Sequence, residues 1–192
     1  LPDVVLGLGL FPIRLMRDRH VPHGTRLLLF GSFRAADQTF ATSPADPRRR
    51  TILVAPEGIV SEVRLLFAFA AACAKRLPDY TFILRSHPEI HMARALELAG
   101  ITTLPNLVLS ERRRIEEDFA RASVLLYRGS STALSAVACG LLPLFMPTET
   151  AVDSDPLEAL AVWHERAAHP EEAADVLARH ERMDEETRAR AW

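Results

Sequence analysis

The chain has 192 residues, enough for one full domain and part of a second. Hydrophobic residues make up 48% of it and charged residues 25%, an ordinary globular composition. The formal net charge of -2 gives no reason to expect a nucleic acid as partner. The longest apolar run, which lies between Arg64 and Lys75, is about half as long as a bilayer-spanning helix, so a membrane span is not expected.

The beginning of the chain and its two cysteines indicate what kind of protein the chain comes from and in which compartment it folds. Leu1 opens an interrupted apolar stretch, residues 1–13, whose charges follow it, which is the reverse of a signal peptide. We therefore expect this chain to be a piece of a longer protein. Cys73 and Cys139 lie in apolar helical patterns, which favours buried free thiols in a reducing cytosol; a disulfide is the alternative.

Along the chain, a first strand is predicted at residues 26–30, followed by a polar, proline-containing linker over residues 34–50. Short apolar runs rich in β-branched residues then predict strands, and segments of helical periodicity separate them. The predicted strands are 51–55, 80–84, 106–109, 123–127 and 142–146, and the predicted helices are 61–76, 91–98, 111–122 and 131–139. From residue 171 the sequence is charged and helical without strands, typical of a peripheral tail.

Strands that alternate with helices of this length indicate a parallel sheet with right-handed crossovers. The predicted fold class is therefore α/β, a doubly wound parallel sheet of the Rossmann type with a helical C-terminal tail. This divides the chain into three segments: residues 1–50 as the end of a preceding domain and a linker, 51–150 as the α/β domain, and 151–192 as the tail.

Ligands of open α/β sheets bind beyond the carboxyl ends of the strands, where loops converge. The unusual polar residues of this sequence follow the predicted strands at that end. They are Glu57 and Gly58 after the first strand of the domain, Arg85, Ser86, His87 and Pro88 after the second, Ser110 after the third, and Gly129, Ser130, Ser131 and Thr132 after the fourth. Four such loops at one edge predict a binding site there.

The loop Gly129-Ser130-Ser131-Thr132 is the most informative of the four. Glycine permits close backbone approach, and the hydroxyls can cap a helix that begins at about Ser131. Exposed backbone N–H groups at a helix start favour an anion, so the loop predicts a phosphate site. The alternative is an ordinary Ser/Thr helix cap with no ligand.

The loops after the first two strands carry titratable groups. Pro88 biases His87 toward an extended conformation, from which the imidazole can donate to a phosphate or to a leaving-group oxygen. Glu57 can accept from a ribose hydroxyl or act as an acid or base. The alternatives are an exposed loop histidine and a turn glutamate. The histidines have no metal-ligand spacing, and no metal is expected.

The stretch RGSSTALSAVACGLLPLFM, residues 128–146, resembles the nucleotide-binding domain of GT-B glycosyltransferases, particularly bacterial enzymes that make surface polysaccharides. His87-Pro88 together with Ser130-Ser131-Thr132 is similar to the HP and S/T motifs of bacterial sialyltransferases and Kdo transferases, which use CMP-activated sugars. The resemblance implies that His87 contacts the nucleotide phosphate and stabilises the leaving group. It implies that the hydroxyl residues bind the phosphate or the cytidine portion.

The resemblance covers roughly residues 51–148 and implies transfer of a sugar from a CMP-, UDP- or GDP-linked donor to a glycan acceptor. Those sialyltransferases carry a motif of two acidic residues and a glycine that supplies the general base; Pro56-Glu57-Gly58 has one carboxylate, so no base is assigned. No cofactor is expected beyond the donor substrate. Residues 1–50 would end an acceptor-binding domain. Two alternatives stay open: a nucleotide-sugar epimerase or glycerophosphate transferase of the same fold, and a non-catalytic module of a polysaccharide assembly complex.

The expected location is the cytoplasm, and a peripheral attachment of the parent protein to the inner face of the membrane stays open.

Overall fold

A computed structural model describes residues 2–18, 24–31, 41–102, 104–149, 155–158, 160 and 162–192. The chain divides into two compact units, residues 1–39 and residues 40–192, and each is described by itself. The predicted linker 34–50 is described only from residue 41 onward.

The first unit is a strand–helix–strand segment. Strand β1 (Val4–Gly7) and strand β2 (Arg26–Leu29) pair in parallel, and helix α1 (Leu10–Asp18) connects them. The sequence analysis predicted only the second strand, because glycines and a proline interrupt the apolar pattern before it. Leu6, Leu29 and Phe30 are each more than half exposed, although the strands of parallel sheets are normally covered on both faces.

The second unit contains six parallel strands and six α-helices among its described residues. In chain order these elements are β3 (Thr51–Pro56), α2 (Val60–Arg76), β4 (Thr81–Leu84), α3 (Met92–Ala99), β5 (Leu107–Leu109), α4 (Ile115–Phe119), β6 (Val124–Arg128), α5 (Thr132–Ala138), β7 (Leu142–Phe145), β8 (Glu165–Arg166), α6 (Pro170–Arg182) and α7 (Glu185–Ala191).

The strand order is β5-β4-β3-β6-β7-β8, with every neighbouring pair parallel. Alternate residues of β3 enter two separate cores: Ile52 and Val54 pack with α2, α3 and α6, and Leu53 and Ala55 pack with α4 and α5. Helices therefore cover both faces of the sheet. This confirms the predicted doubly wound α/β fold with a helical C-terminal end.

The helix predicted over residues 111–122 is shorter than expected, because α4 begins only at Ile115. The backbone carbonyls of Arg112 and Arg113 accept hydrogen bonds from the Arg85 guanidinium, which holds this stretch outside the helix. Strand β8 was not predicted, since a two-residue strand of Glu165 and Arg166 has no apolar signal.

Helix α6 of the C-terminal segment is more than a peripheral tail, because Ala173, Val176 and Leu177 are buried in the core beside α2. Cys73 and Cys139 are both free thiols on opposite faces of the sheet, but only Cys73 is buried as predicted, and Cys139 is partly exposed. Within the described part of the chain, no helix combines the length and apolarity required to cross a membrane.

Candidate functional site

The candidate site lies where the winding of the sheet reverses direction, between β3 and its two neighbours. From β3 the chain proceeds through β4 to β5, then crosses back to place β6 on the other side of β3. The loops after β3, β4 and β6 therefore lie side by side at the carboxyl edge. In open α/β sheets this position is the usual ligand crevice.

Glu57, which directly follows β3, lies against Gly129, which directly follows β6. A Cβ atom built on Gly129 would lie 2.6 Å from Glu57 Oε2, a distance that no side chain at this position could keep. Gly129 also has a φ of 66°, in the left-handed region that favours glycine. Glycine is thus required here both for the turn and for the approach of the carboxylate.

Gly58 permits the same kind of close approach to the His87 ring. A Cβ atom on Gly58 would lie 2.7 Å from Nδ1 and 2.9 Å from Cε1 of His87. The His87 ring is partly buried, and its Nδ1 accepts a hydrogen bond from the Glu89 backbone N–H at 3.3 Å. An Nδ1 that accepts places the proton of the neutral ring on Nε2, so Nε2 is the donor that His87 can offer to a ligand.

The hydroxyl-rich loop lies beside this pair. Ser130 is buried, and its Oγ accepts from the Thr132 backbone N–H at 3.3 Å, which caps the start of α5. Ser131 precedes the helix, is exposed, and makes no side-chain cap hydrogen bond. The cap that the sequence analysis expected is therefore made by Ser130.

Arg85 and Ser110 form a second cluster, centred on a residue that the sequence analysis did not single out. Asp118 in α4 is fully buried, and its Oδ2 accepts from Arg85 Nη1 at 2.7 Å and from Ser110 Oγ at 2.5 Å. Pro88, by contrast, is exposed on the loop after β4. The structure thus brings Glu57, Gly58, His87 and Gly129 together and places Arg85 and Ser110 around Asp118.

Arg128, the last residue of β6, also has a carboxylate partner that the sequence analysis missed. Its side chain is 1% exposed, and its Nε lies 2.5 Å from Glu62 Oε2 in the first turn of α2. Glu62 does not cap α2, because the residue before the helix is Ile59, which has no side-chain cap bond. The available signal was an arginine at the end of a buried strand, since a buried cation requires a partner.

The electrostatics of the edge follow from these pairs. Arg85 and Arg128 are each matched by a carboxylate, while Glu57 has no hydrogen bond or ion pair among the described residues. The same residues include no cluster of three or more His, Cys, Asp or Glu that could hold a metal ion. The edge therefore offers an imidazole donor, hydroxyls and one carboxylate acceptor.

A separate groove of about 530 Å³ lies between the outer face of α2, the end of α3 and the start of α6. Alanines of α2 and α3 line much of it, and two of its three charged residues, Arg76 and Glu171, pair at 3.1 Å. None of the sequence-predicted residues is among its described lining. We therefore locate the candidate site at the carboxyl edge of the sheet.

No protein-family model and no curated protein matches the chain. Its fold is shared with solved glycosyltransferases of the GT-B class. The pneumococcal O-GlcNAc transferase GtfA, solved with UDP and GlcNAc, has a TM-score of 0.54 at 14% identity, over 98% of this chain and 40% of GtfA. The calicheamicin glycosyltransferase CalG4 has 0.58 at 17%, over 100% and 47%.

The wall teichoic acid polymerase TagF (H444N variant) has a TM-score of 0.51 at 15% identity, over 98% of this chain and 50% of TagF. The chain therefore spans half the length of these proteins or less. At such identities the likeness establishes the fold: this chain has the Rossmann-like architecture of one half of a GT-B enzyme.

Proposed function

We propose that this chain is the donor-binding part of a glycosyltransferase, which transfers a sugar from a CMP-, UDP- or GDP-linked donor to a glycan or polysaccharide acceptor. The observation that carries the proposal is the approach of Glu57 to Gly129 and of His87 to Gly58 at the reversal point of the sheet. A fold shared with glycosyltransferases supports it. The other predicted residues of the edge, Arg85, Pro88 and Ser110, belong to the same proposed site.

In this proposal the phosphate of the leaving nucleotide lies over the loop after β6. His87 donates from Nε2 to the leaving-group oxygen, and the hydroxyls of Ser130, Ser131 and Thr132 with nearby backbone N–H groups bind the phosphate. Each donor aimed at the charge that develops in the transition state contributes roughly 3 kcal/mol. These are the roles that the resemblance to sialyl and Kdo transferases implies, so CMP is the first nucleotide to test.

In this proposal Glu57 binds a part of the donor other than the phosphate. A carboxylate beside an anionic phosphate would repel it, and both nearby arginines already have carboxylate partners. We therefore assign Glu57 as the acceptor for a hydroxyl group of the ribose or the sugar. No general base is assigned, because in this proposal the base and the acceptor pocket lie mainly in another domain.

The first unit supports that division. Its exposed apolar side chains, among them Leu6, Leu29 and Phe30, suit a parallel sheet that continues into a further domain, proposed here as acceptor-binding. The chain alone should then bind nucleotide and turn over very slowly. A cytoplasmic location is part of the proposal, because Cys73 and Cys139 are unpaired thiols.

A second candidate keeps the fold and transfers glycerophosphate in place of a sugar. The fold shared with the wall teichoic acid polymerase TagF favours it. Product analysis with the complete protein distinguishes the two, since a phosphodiester product would replace the glycosidic one.

Calorimetric titration of this chain with CMP, CDP, UDP and GDP tests the proposal. We expect one of them to bind with submillimolar Kd, and Gly58→Ala to weaken that binding about tenfold, because the added Cβ displaces His87 and removes one hydrogen bond. Gly9→Ala is the matched control, since its nearest atom would be 3.8 Å away. The proposal is wrong if none of the four nucleotides binds at millimolar concentration.

A further inference from the structure

The Arg85 guanidinium joins two loops and a helix at the carboxyl edge. Besides Asp118, its Nη1 donates to Ser110 Oγ at 3.2 Å and to the Arg112 carbonyl at 3.0 Å, and its Nη2 donates to the Arg113 carbonyl at 3.2 Å. One side chain after β4 thus binds the loop after β5 and the start of α4. Such a fork of donors is specific to arginine among the cationic residues.

Because the ion pair is buried, the Arg85 guanidinium is held by its partners within the protein. The Asp118 side chain is 0% exposed and that of Arg85 is 17% exposed. Drawing Arg85 toward a ligand would leave the Asp118 carboxylate in the interior without its main counter-ion, which is strongly unfavourable. Arg121 does not replace it, because its Nη1 lies 3.7 Å from the other carboxylate oxygen.

Arg85 also anchors the turn that presents His87. The Arg85 backbone N–H donates to the Val54 carbonyl of β3 at 3.0 Å. From the next residue on, the turn is closed on itself: Ser86 Oγ donates to the Ile90 carbonyl at 2.5 Å, and the Ile90 N–H donates to the His87 carbonyl at 2.9 Å. A turn braced internally moves as one piece, so its orientation depends on the anchor at Arg85.

We infer that Asp118 is a positioning residue of the nucleotide site: through Arg85 it fixes the turn that carries His87, and it keeps the Arg85 guanidinium away from the bound phosphate. The inference rests on the proposed function and changes the role of Arg85 within it, from a ligand contact to a support. Asp118 touches neither nucleotide nor sugar in this arrangement.

A double-mutant cycle tests the inference, with Asp118→Asn, Arg85→Gln and their combination titrated against the nucleotide that binds the unaltered chain most tightly. Each single substitution should weaken binding about tenfold, and the combination should weaken it no further, because both disrupt the same support. If Arg85 contacts the phosphate directly, Arg85→Gln weakens binding while Asp118→Asn leaves it equal or tighter, and the inference is overturned.

The imidazole resonances of His87 provide a readout that needs no nucleotide. In ¹⁵N-histidine-labelled chain, assigned with His87→Asn, both supporting substitutions should shift the His87 ring nitrogens. Glu181→Gln, a carboxylate-to-amide change at another arginine, should leave them in place. Unshifted His87 signals in folded Asp118→Asn and Arg85→Gln would contradict the inference, whether or not any nucleotide binds.

Arg85→Lys covers the case in which Asp118→Asn does not fold. Lysine keeps the charge opposite Asp118 but loses the fork to the carbonyls of Arg112 and Arg113. It should shift the His87 resonances in the same direction by a smaller amount. Absence of that shift overturns the inference, and absence of nucleotide binding by the unaltered chain overturns only the proposed function.

Discussion

The two edges of the six-stranded sheet each hold an arginine, a carboxylate and a hydroxyl, but in different surroundings. At the carboxyl edge these are Arg85, Asp118 and Ser110. At the amino edge Arg50 precedes β3, Tyr80 precedes β4, and Glu181 lies in α6. Glu181 accepts from Arg50 Nε at 2.8 Å and from Arg50 Nη2 at 3.1 Å, and from Tyr80 Oη at 2.6 Å.

Burial separates the two groups. The Arg50 side chain is 46% exposed and that of Glu181 is 22% exposed, whereas Asp118 is fully buried. Burial raises the pKa of the Glu181 carboxyl, but the hydrogen bonds from Arg50 and Tyr80 outweigh it and hold the pKa below its ordinary value. The amino-edge group attaches α6 to the sheet, and the carboxyl-edge group shapes the loops of the candidate site. Similar chemistry is therefore partly exposed at the amino edge and more deeply buried at the carboxyl edge.

The largest expected difference between the edges is in stability. Asp118→Ala leaves the partly buried Arg85 without its counter-ion and should lower the free energy of unfolding by about 4 kcal/mol. Glu181→Ala removes a pair whose arginine is nearly half exposed and one tyrosine hydrogen bond, and should lower it by about 1 kcal/mol. Urea denaturation of both variants measures the difference.

Equal losses of unfolding free energy in Asp118→Ala and Glu181→Ala would show that burial does not make the carboxyl-edge pair more important for stability. Asp118→Asn serves as the matched control for volume, because it keeps the side-chain shape and removes only the charge. It should lie between the unaltered chain and Asp118→Ala.

A smaller effect, dependent on pH, distinguishes the amino edge. His180, next to Glu181 on α6, is 3% exposed and packs 5.4 Å from the Trp163 ring. Burial lowers the pKa of His180 from 6.5 to about 4, and Arg188 of α7 adds to this, while Glu165 of β8 and Glu181 act in the opposite direction. The folded chain then binds this proton less readily than the unfolded chain does.

Stability from His180 is therefore complete above pH 6.5 and is lost as the pH falls toward 4. At pH 5 the loss should be on the order of 2 kcal/mol. His180→Phe, which keeps an aromatic ring against Trp163, should reduce the difference in unfolding free energy between pH 7 and pH 5 by that amount. His91→Gln, at the exposed start of α3, should not alter the difference. An unchanged pH dependence in His180→Phe would show that His180 is not the acid-sensitive group.

The two edges were also unequally predictable from the sequence. Apolar runs such as TILVA and polar residues directly after them predicted the strands of the carboxyl edge and the loops that meet there. Asp118 and Glu62 could not be predicted as partners of Arg85 and Arg128, because each pair depends on how helices pack against the sheet. A tertiary contact also explains why α4 is shorter than predicted. The Arg85 guanidinium binds the carbonyls of Arg112 and Arg113, which the helical pattern of the sequence had placed in the helix.

The smallest expected effect compares two glycines with similar backbone angles. Gly129 at the carboxyl edge has a φ of 66°, and Gly100, which ends α3 at the amino edge, has a φ of 61°. Alanine at either position is strained by about 1 kcal/mol. A Cβ on Gly100 meets nothing within 4 Å, and one on Gly129 meets only the movable end of Glu57 within 3 Å, so the two losses of unfolding free energy should be nearly equal.

Nucleotide binding should distinguish Gly129→Ala from Gly100→Ala, although the two variants should be nearly equal in stability. Gly129→Ala forces the Glu57 carboxylate away from the loop after β6, so a hydroxyl of the ligand loses its acceptor and binding should weaken about tenfold. Gly100→Ala carries the same backbone strain without that displacement and should bind as the unaltered chain does. Equal affinities in the two variants would mean that the approach of Glu57 to Gly129 has no part in binding, and the carboxyl edge would then differ from the amino edge only in burial.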